Sequence, residues 1–130
     1  MFTWPGSISA ITLFVDDLAA TKAFYLEVFQ LPILFEDGDS AVFRFDNTLI
    51  NLLKSSAAVS LIEPAAVASA ETGSRLQLTL DVENVDDICV ALTGRGVELL
   101  NGPMDREWGI RTASFQDPGG HIWEIAQPLG

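Results

Sequence analysis

Near its C-terminus the chain reads FQDPGGHIWEIAQ, from Phe115 to Gln127. This stretch holds the single histidine, His121, and a carboxylate, Glu124, three residues later. An imidazole and a carboxylate are both good ligands for divalent transition metals. A carboxylate taken out of water can also anchor a cationic group or act as a general base. Spacing decides between these uses. Asp117-Pro118-Gly119-Gly120 is a turn signal, because proline presets φ and the two glycines accept positive φ. The residues after it, His121 to Ala126, alternate as a strand does. Residues three apart on a strand point to opposite faces, so His121 and Glu124 do not converge on one ion. His121, directly after the turn, is expected to be a structural or surface residue. Glu124 shares its face with Ile122 and Ala126, and Trp123 falls on the other face, as core. Nucleophilic chemistry finds no support: Cys89 lies on an apolar helical stripe and is expected to be buried and inert. No Ser-His-Asp or Cys-His grouping and no glycine-rich phosphate loop is present.

Composition narrows the options further. A chain of 130 residues suits one domain with a substantial core. Eighteen acidic residues against seven basic ones give a net charge of −11. That charge repels a phosphate backbone, so no nucleic-acid partner is expected. It raises the local concentration of a cationic ligand, although most of the carboxylates are expected to be solvated surface. No apolar run reaches membrane-span length, and MFTWPGS lacks the features of a secretory leader. With one cysteine there is no intrachain disulfide, and a reducing, cytoplasmic setting is expected.

The elements that must position these residues come in two similar runs. Ser9–Val15 alternates, with Ile11, Leu13 and Val15 on one side and Ala10, Thr12 and Phe14 on the other. Asp16 or Asp17 can cap the helix marked by Leu18, Thr21, Tyr25 and Val28. Strands are expected at Ile33–Glu36, Ala41–Phe45 and Leu49–Leu53, separated by the turn signals Asp37-Gly38 and Asp46-Asn47. After a linker of about residues 56–73, with a short helix at Pro64–Ala68, the pattern restarts. Arg75–Val82 alternates, Asn84 and Asp87 resemble a capping box, and Val85, Ile88, Cys89 and Leu92 make a helical stripe ended by Gly94 and Gly96. Val97–Leu100, Arg111–Phe115 and His121–Ala126 complete the second run. The expected fold is α+β, with two βαβββ modules at about residues 8–55 and 74–128.

LFVDDLAATKAFYLEVF at the front, LDVENVDD in the middle, and WGIR followed by DPGGHIWEI at the end resemble the vicinal-oxygen-chelate superfamily of glyoxalases, bleomycin-resistance proteins and extradiol dioxygenases. The similarity runs from Ile8 to Gln127. It implies a U-shaped mixed sheet around a cavity and a homodimer. In metal-using members four side chains, one from each of four strands, bind a divalent ion. Those positions fall here at Ala10, Asn51, Gln77 and Glu124. One carboxylate and two neutral amides are a poor site for Zn²⁺, Ni²⁺ or Fe²⁺. No metal is therefore expected, although a divalent ion is left open as an alternative. A dioxygenase needs two histidines and a carboxylate at iron, and the chain has one histidine in all.

Within the cavity that this resemblance implies, parity places Thr12, Phe14, Asn51, Gln77, Thr79 and Glu124. Trp108, in REWGIR, either stacks on a planar or cationic ligand or packs at a sheet end or dimer interface. Arg111 either holds a ligand carboxylate or neutralises Glu124, and Gln77 is another candidate partner for that carboxylate. Phe43 and Phe45 line either cavity or core. The expected activity is binding of a small organic molecule, favourably a cationic one, without metal. The alternative is a glyoxalase-like lyase or isomerase with Glu124 as its base.

Overall fold

The computed structural model describes residues 2–130. Its elements are β1 (Ala10–Val15), α1 (Leu18–Phe29), β2 (Ile33–Glu36), β3 (Ser40–Phe45), β4 (Thr48–Lys54), α2 (Ser55–Ile62), a 3₁₀ turn (Ala70–Thr72), β5 (Gln77–Asp81), α3 (Val85–Gly94), β6 (Leu99–Asp105), β7 (Ile110–Gln116) and β8 (Ile122–Pro128). The chain separates into two compact units, Met1–Ser69 and Ala70–Gly130. Each is a βαβββ module with a four-stranded mixed sheet, in strand order β1-β4-β3-β2 and β5-β8-β7-β6. In both, the first strand runs parallel to the last and the other pairings are antiparallel. Among the described residues no helix is long and apolar enough to cross a membrane.

In the first module α1 starts at Asp17, whose side chain accepts from the Ala20 amide at 3.0 Å and so satisfies one of the orphan donors of the first turn. Leu18, Thr21, Tyr25 and Val28 are its buried stripe. Tyr25 packs on Phe43 and Phe29 on Phe45, with ring centroids 5.6 and 5.3 Å apart. These contacts show which sheet face the helix covers. Period-two alternation then places Ile11, Leu13, Val15, Ala41, Phe43, Phe45, Ile50 and Leu52 on the helix side. Phe43 is therefore a core residue, and Phe45 is half-buried on the same helix-facing side.

In the second module Asn84 caps α3 by accepting from the Asp87 amide at 3.0 Å. Val85, Cys89 and Leu92 are buried on that helix, and Ala113, Phe115, Trp123 and Ile125 are buried on the sheet. Burial raises the pKa of the Cys89 thiol, and the negative charge of Asp86 adds to the effect. Alkylation of Cys89 by iodoacetamide, followed by mass spectrometry, is therefore expected to be at least roughly tenfold slower in native protein than in the denatured chain. Equal rates would show an accessible thiolate.

Two expected elements differ. The Ala- and Ser-rich stretch after β4 is helical at Ser55–Ile62 rather than at Pro64–Ala68. Its Ala58 is fully buried. Pro64 ends this helix instead of starting one: the residue before a proline is pushed out of the helical region, and Glu63 lies at φ −58°, ψ 143°. The strand expected at Val97–Leu100 is instead β6, Leu99–Asp105, which runs on through Gly102-Pro103. Irregularities in its pairing with β7, between Leu99 and Asn101 and between Asn101 and Met104, absorb the two strand-breaking residues.

Candidate functional site

Each sheet has a second face, turned away from α1 or α3, and the candidate residues are sorted by it. In the first module this open face carries Ala10, Thr12 and Phe14 from β1, Leu49, Asn51 and Leu53 from β4, and Val42 and Arg44 from β3. Thr12, Asn51 and Val42 form one row across three strands. The Asn51 side-chain oxygen is buried and has no hydrogen-bond partner among the described residues. Such an acceptor costs about 1–3 kcal/mol until a donor reaches it.

The open face of the second module is more polar. One row across all four strands reads Thr79, Glu124, Ser114, Asn101. The next reads Asp81, Ala126, Thr112, Met104. Gln77 stands on the same face, beside Ile122. The Thr79 hydroxyl donates to Glu124 Oε1 at 3.1 Å. That bond orients the carboxylate, and Oε2 has no partner among the described residues.

Arg111 is not part of this face. It is paired across the ladder with Gln127 and shares its side with Ala113 and Phe115. Its guanidinium makes ion pairs with Asp86 on α3 at 2.9 Å and with Asp105 at 2.8 Å. These two carboxylates push the Arg111 pKa up. The expectation that Arg111 holds a ligand or neutralises Glu124 is thus corrected. Strand alternation points it towards the helix, where two acidic side chains already occupy it. Glu124 is partnered by Thr79, and neither Arg111 nor Gln77 takes that role.

The arginine that does reach the open face is Arg106, which the sequence reading passed over. It begins the tight turn between β6 and β7, in which the Arg106 amide donates to the Ile110 carbonyl at 2.7 Å and the Gly109 amide to the Arg106 carbonyl at 3.1 Å. Gly109 sits at φ +88°, a conformation open to glycine. From this turn the Arg106 side chain folds back over the sheet. Nε donates to Thr112 Oγ1 at 2.9 Å and Nη2 to Asn101 Oδ1 at 3.3 Å. Trp108 is 68 % exposed at the tip of the turn, and the guanidinium carbon lies 5.9 Å from its ring centre. Ser114, Thr112 and Asn101 were also missed. Only the pairing register reveals them as neighbours of Glu124.

His121 belongs to the turn. Its Nδ1 lies 3.0 Å from Asp117 Oδ2, and it precedes β8. Among the described residues no three His, Cys, Asp or Glu side chains come together as a metal centre requires. The positions at which metal-using members of the resembling superfamily place their ligands hold an alanine without a donor, two amides and the Thr79-bound carboxylate. That donor set does not fit a divalent transition metal.

Paired βαβββ modules, each with a helix on one sheet face and polar side chains on the other, define a recurrent α+β class. Residues 7–125 match the model of the Glyoxalase/Bleomycin resistance protein/Dioxygenase superfamily, and the chain belongs to that family. It is 33 % identical over 123 residues to the uncharacterised protein YraH of Bacillus subtilis, an alignment covering 92 % of this chain and 96 % of that one. Its fold is similar to that of a glyoxalase/bleomycin resistance protein/dioxygenase from Nocardioides, with a TM-score of 0.87 at 22 % identity over 99 % of this chain and 87 % of that one. It is similar also to TnmS3, an antibiotic binding protein from Streptomyces, with a TM-score of 0.74 at 25 % identity over 98 % and 99 % of the two chains.

Proposed function

We propose that the chain binds a small organic molecule without a metal, using Glu124 to hold a cationic or hydrogen-bond-donating group of the ligand. The observation that carries this reading is the Thr79–Glu124 contact within the polar row of the second sheet. One carboxylate oxygen is fixed and the other is left for a ligand. A binder needs shape and hydrogen-bonding groups rather than a Lewis acid, which suits the hydroxyl and amide side chains on the open face of the second sheet. The net charge of −11 favours a cationic partner. The similarity to an antibiotic binding protein supports the same reading. A homodimer in the cytoplasm is the setting this reading assumes.

Thermal denaturation against a panel of cationic antibiotics and amines tests it. A ligand at a hundred times its Kd should stabilise the native state by about 2.7 kcal/mol, a rise in Tm on the order of 10 °C. Glu124→Gln should remove most of that rise and leave the unliganded Tm nearly unchanged. A panel without a single shift, or shifts identical in Glu124→Gln, would sink the proposal.

A second reading rests on the same unpartnered Oε2: Glu124 as the base of a glyoxalase-like lyase or isomerase, taking a proton next to a carbonyl. Exchange of that proton with solvent deuterium, catalysed by the wild type and lost in Glu124→Gln, would favour it over simple binding.

A further inference from the structure

We propose that Arg106 is a second recognition residue on the open face of the second sheet, so that the ligand is amphoteric: a carboxylate for Arg106 together with a donor group for Glu124. This deepens the binding reading and rests on it. The argument begins with what holds Arg106. The chain has seven basic residues against eighteen acidic ones, and Arg111, five positions away, is neutralised by two carboxylates. Arg106 is instead held by two neutral acceptors, Thr112 Oγ1 and Asn101 Oδ1, and has no carboxylate partner among the described residues. Thr112 is fully buried, so the anchor is a rigid one.

The way it is held matters as much. A guanidinium presents five N–H donors in a fixed plane. Nε and Nη2, which define one edge, are committed to the sheet. The outer edge, with one N–H each from Nη1 and Nη2, remains, and its two parallel donors match the two oxygens of a carboxylate. The positive charge is therefore oriented but not cancelled. Thr112 pairs with Ala126, two residues along β8 from Glu124 and on the same face, and such diagonal neighbours lie roughly 7–8 Å apart. The residue that holds the guanidinium and the residue that carries the carboxylate are thus neighbours on one face, which lets one small molecule meet both. Trp108, against the guanidinium, adds an apolar wall beside the charge.

Matched aromatic probes test this: benzylamine, benzoate and 4-(aminomethyl)benzoate, titrated into wild type, Arg106→Gln and Arg106→Lys. Binding is read from heteronuclear NMR of the arginine Nε–H signals, with the Arg106 signal identified by its absence in the variants, and from backbone amide shifts. The zwitterion is expected to bind wild type at least about tenfold more tightly than benzylamine and to shift the Arg106 signal saturably. Arg106→Gln should abolish that preference while benzylamine binding stays as it was. Arg106→Lys, which keeps the charge but loses the fork, should retain only part of it.

Equal affinity for benzylamine and the zwitterion in wild type, or a preference unchanged in Arg106→Gln, overturns the role of Arg106 and leaves the Glu124 reading standing. Benzoate binding that depends on Arg106, with no benzylamine binding, supports Arg106 and removes Glu124 as the anchor. No saturable shift from any of the three, up to their solubility limits, overturns both.

Discussion

Replacing Asp117 by alanine is expected to destabilise the protein by about 3 kcal/mol, although the residue belongs to a surface turn. Its side chain is fully buried. Oδ1 accepts from the amides of Gly119 and His121, each at 2.9 Å. Oδ2 lies 3.0 Å from His121 Nδ1, which donates when the ring proton is placed there. The carboxylate thus gathers three donors that water would otherwise serve. Alanine orphans all three at partly buried positions, whereas Asp117→Asn keeps an acceptor for the two amides and is expected to cost only about 1 kcal/mol. Urea denaturation, with the slope held constant, separates the two variants. Equal losses, or a loss below about 1 kcal/mol for alanine, would show that the turn is held by backbone geometry alone. The imidazole is accounted for by the same arrangement: it closes the turn that starts β8, while Glu124 lies further along the strand on the open face.

The second large effect is expected at Gly102, where Gly102→Ala should cost about 3–4 kcal/mol. The residue sits at φ +85°, and a Cβ there would lie 2.4 Å from the Thr112 carbonyl oxygen and 2.7 Å from the Ala113 Cα. Both are backbone atoms of β7, so relief requires the strands to part. The position is also next to Asn101 and against Thr112, the two residues that hold Arg106. The variant should therefore lose the preference for an anionic group by more than its lower stability explains. This is checked by measuring probe binding well below its melting temperature. A variant that melts like wild type would show that the irregular stretch of β6 gives way easily.

Much of this architecture could be read from alternation and caps. Asp17 and Asn84 were legible because a capping side chain is a local feature. Thr12, Asn51, Gln77, Thr79 and Glu124 fell on the open faces because each lies in a strand whose apolar partners mark the other side. Arg111 was misplaced for a related reason. Alternation within a strand says which residues share a face, but the register with the neighbouring strand says which face that is, and in RTASF the polar and apolar residues contrast weakly. Once Ala113 and Phe115 are seen to pair with Ile125 and Trp123, Arg111 must follow them. Arg106 lay beyond local reasoning altogether. It stands outside any strand, and its partners come from the irregular middle of β6 and from β7. The strand expected at Val97–Leu100 stopped short of Gly102-Pro103, two residues of types that usually break strands, which the true strand carries at its irregularity. The helix at Ser55–Ile62 was hidden by a composition of alanine and serine that gives little periodic contrast.

The parallel pairing of β1 with β4 and of β5 with β8 has a bearing on how the protein is born. In each module the strand made last is an interior strand, flanked on both sides by strands made earlier. As the chain leaves the ribosome, β1 therefore waits for β4, and β5 for β8, before either sheet can close. The first module has all its strands by Lys54 and can fold while the second is still being made. The second gains its keystone only with Ile122–Pro128, the segment that carries both Trp123 and Glu124. In that module the core and the candidate binding site arrive in the same step, so a nascent chain that presents Glu124 in its folded setting has already completed its sheet.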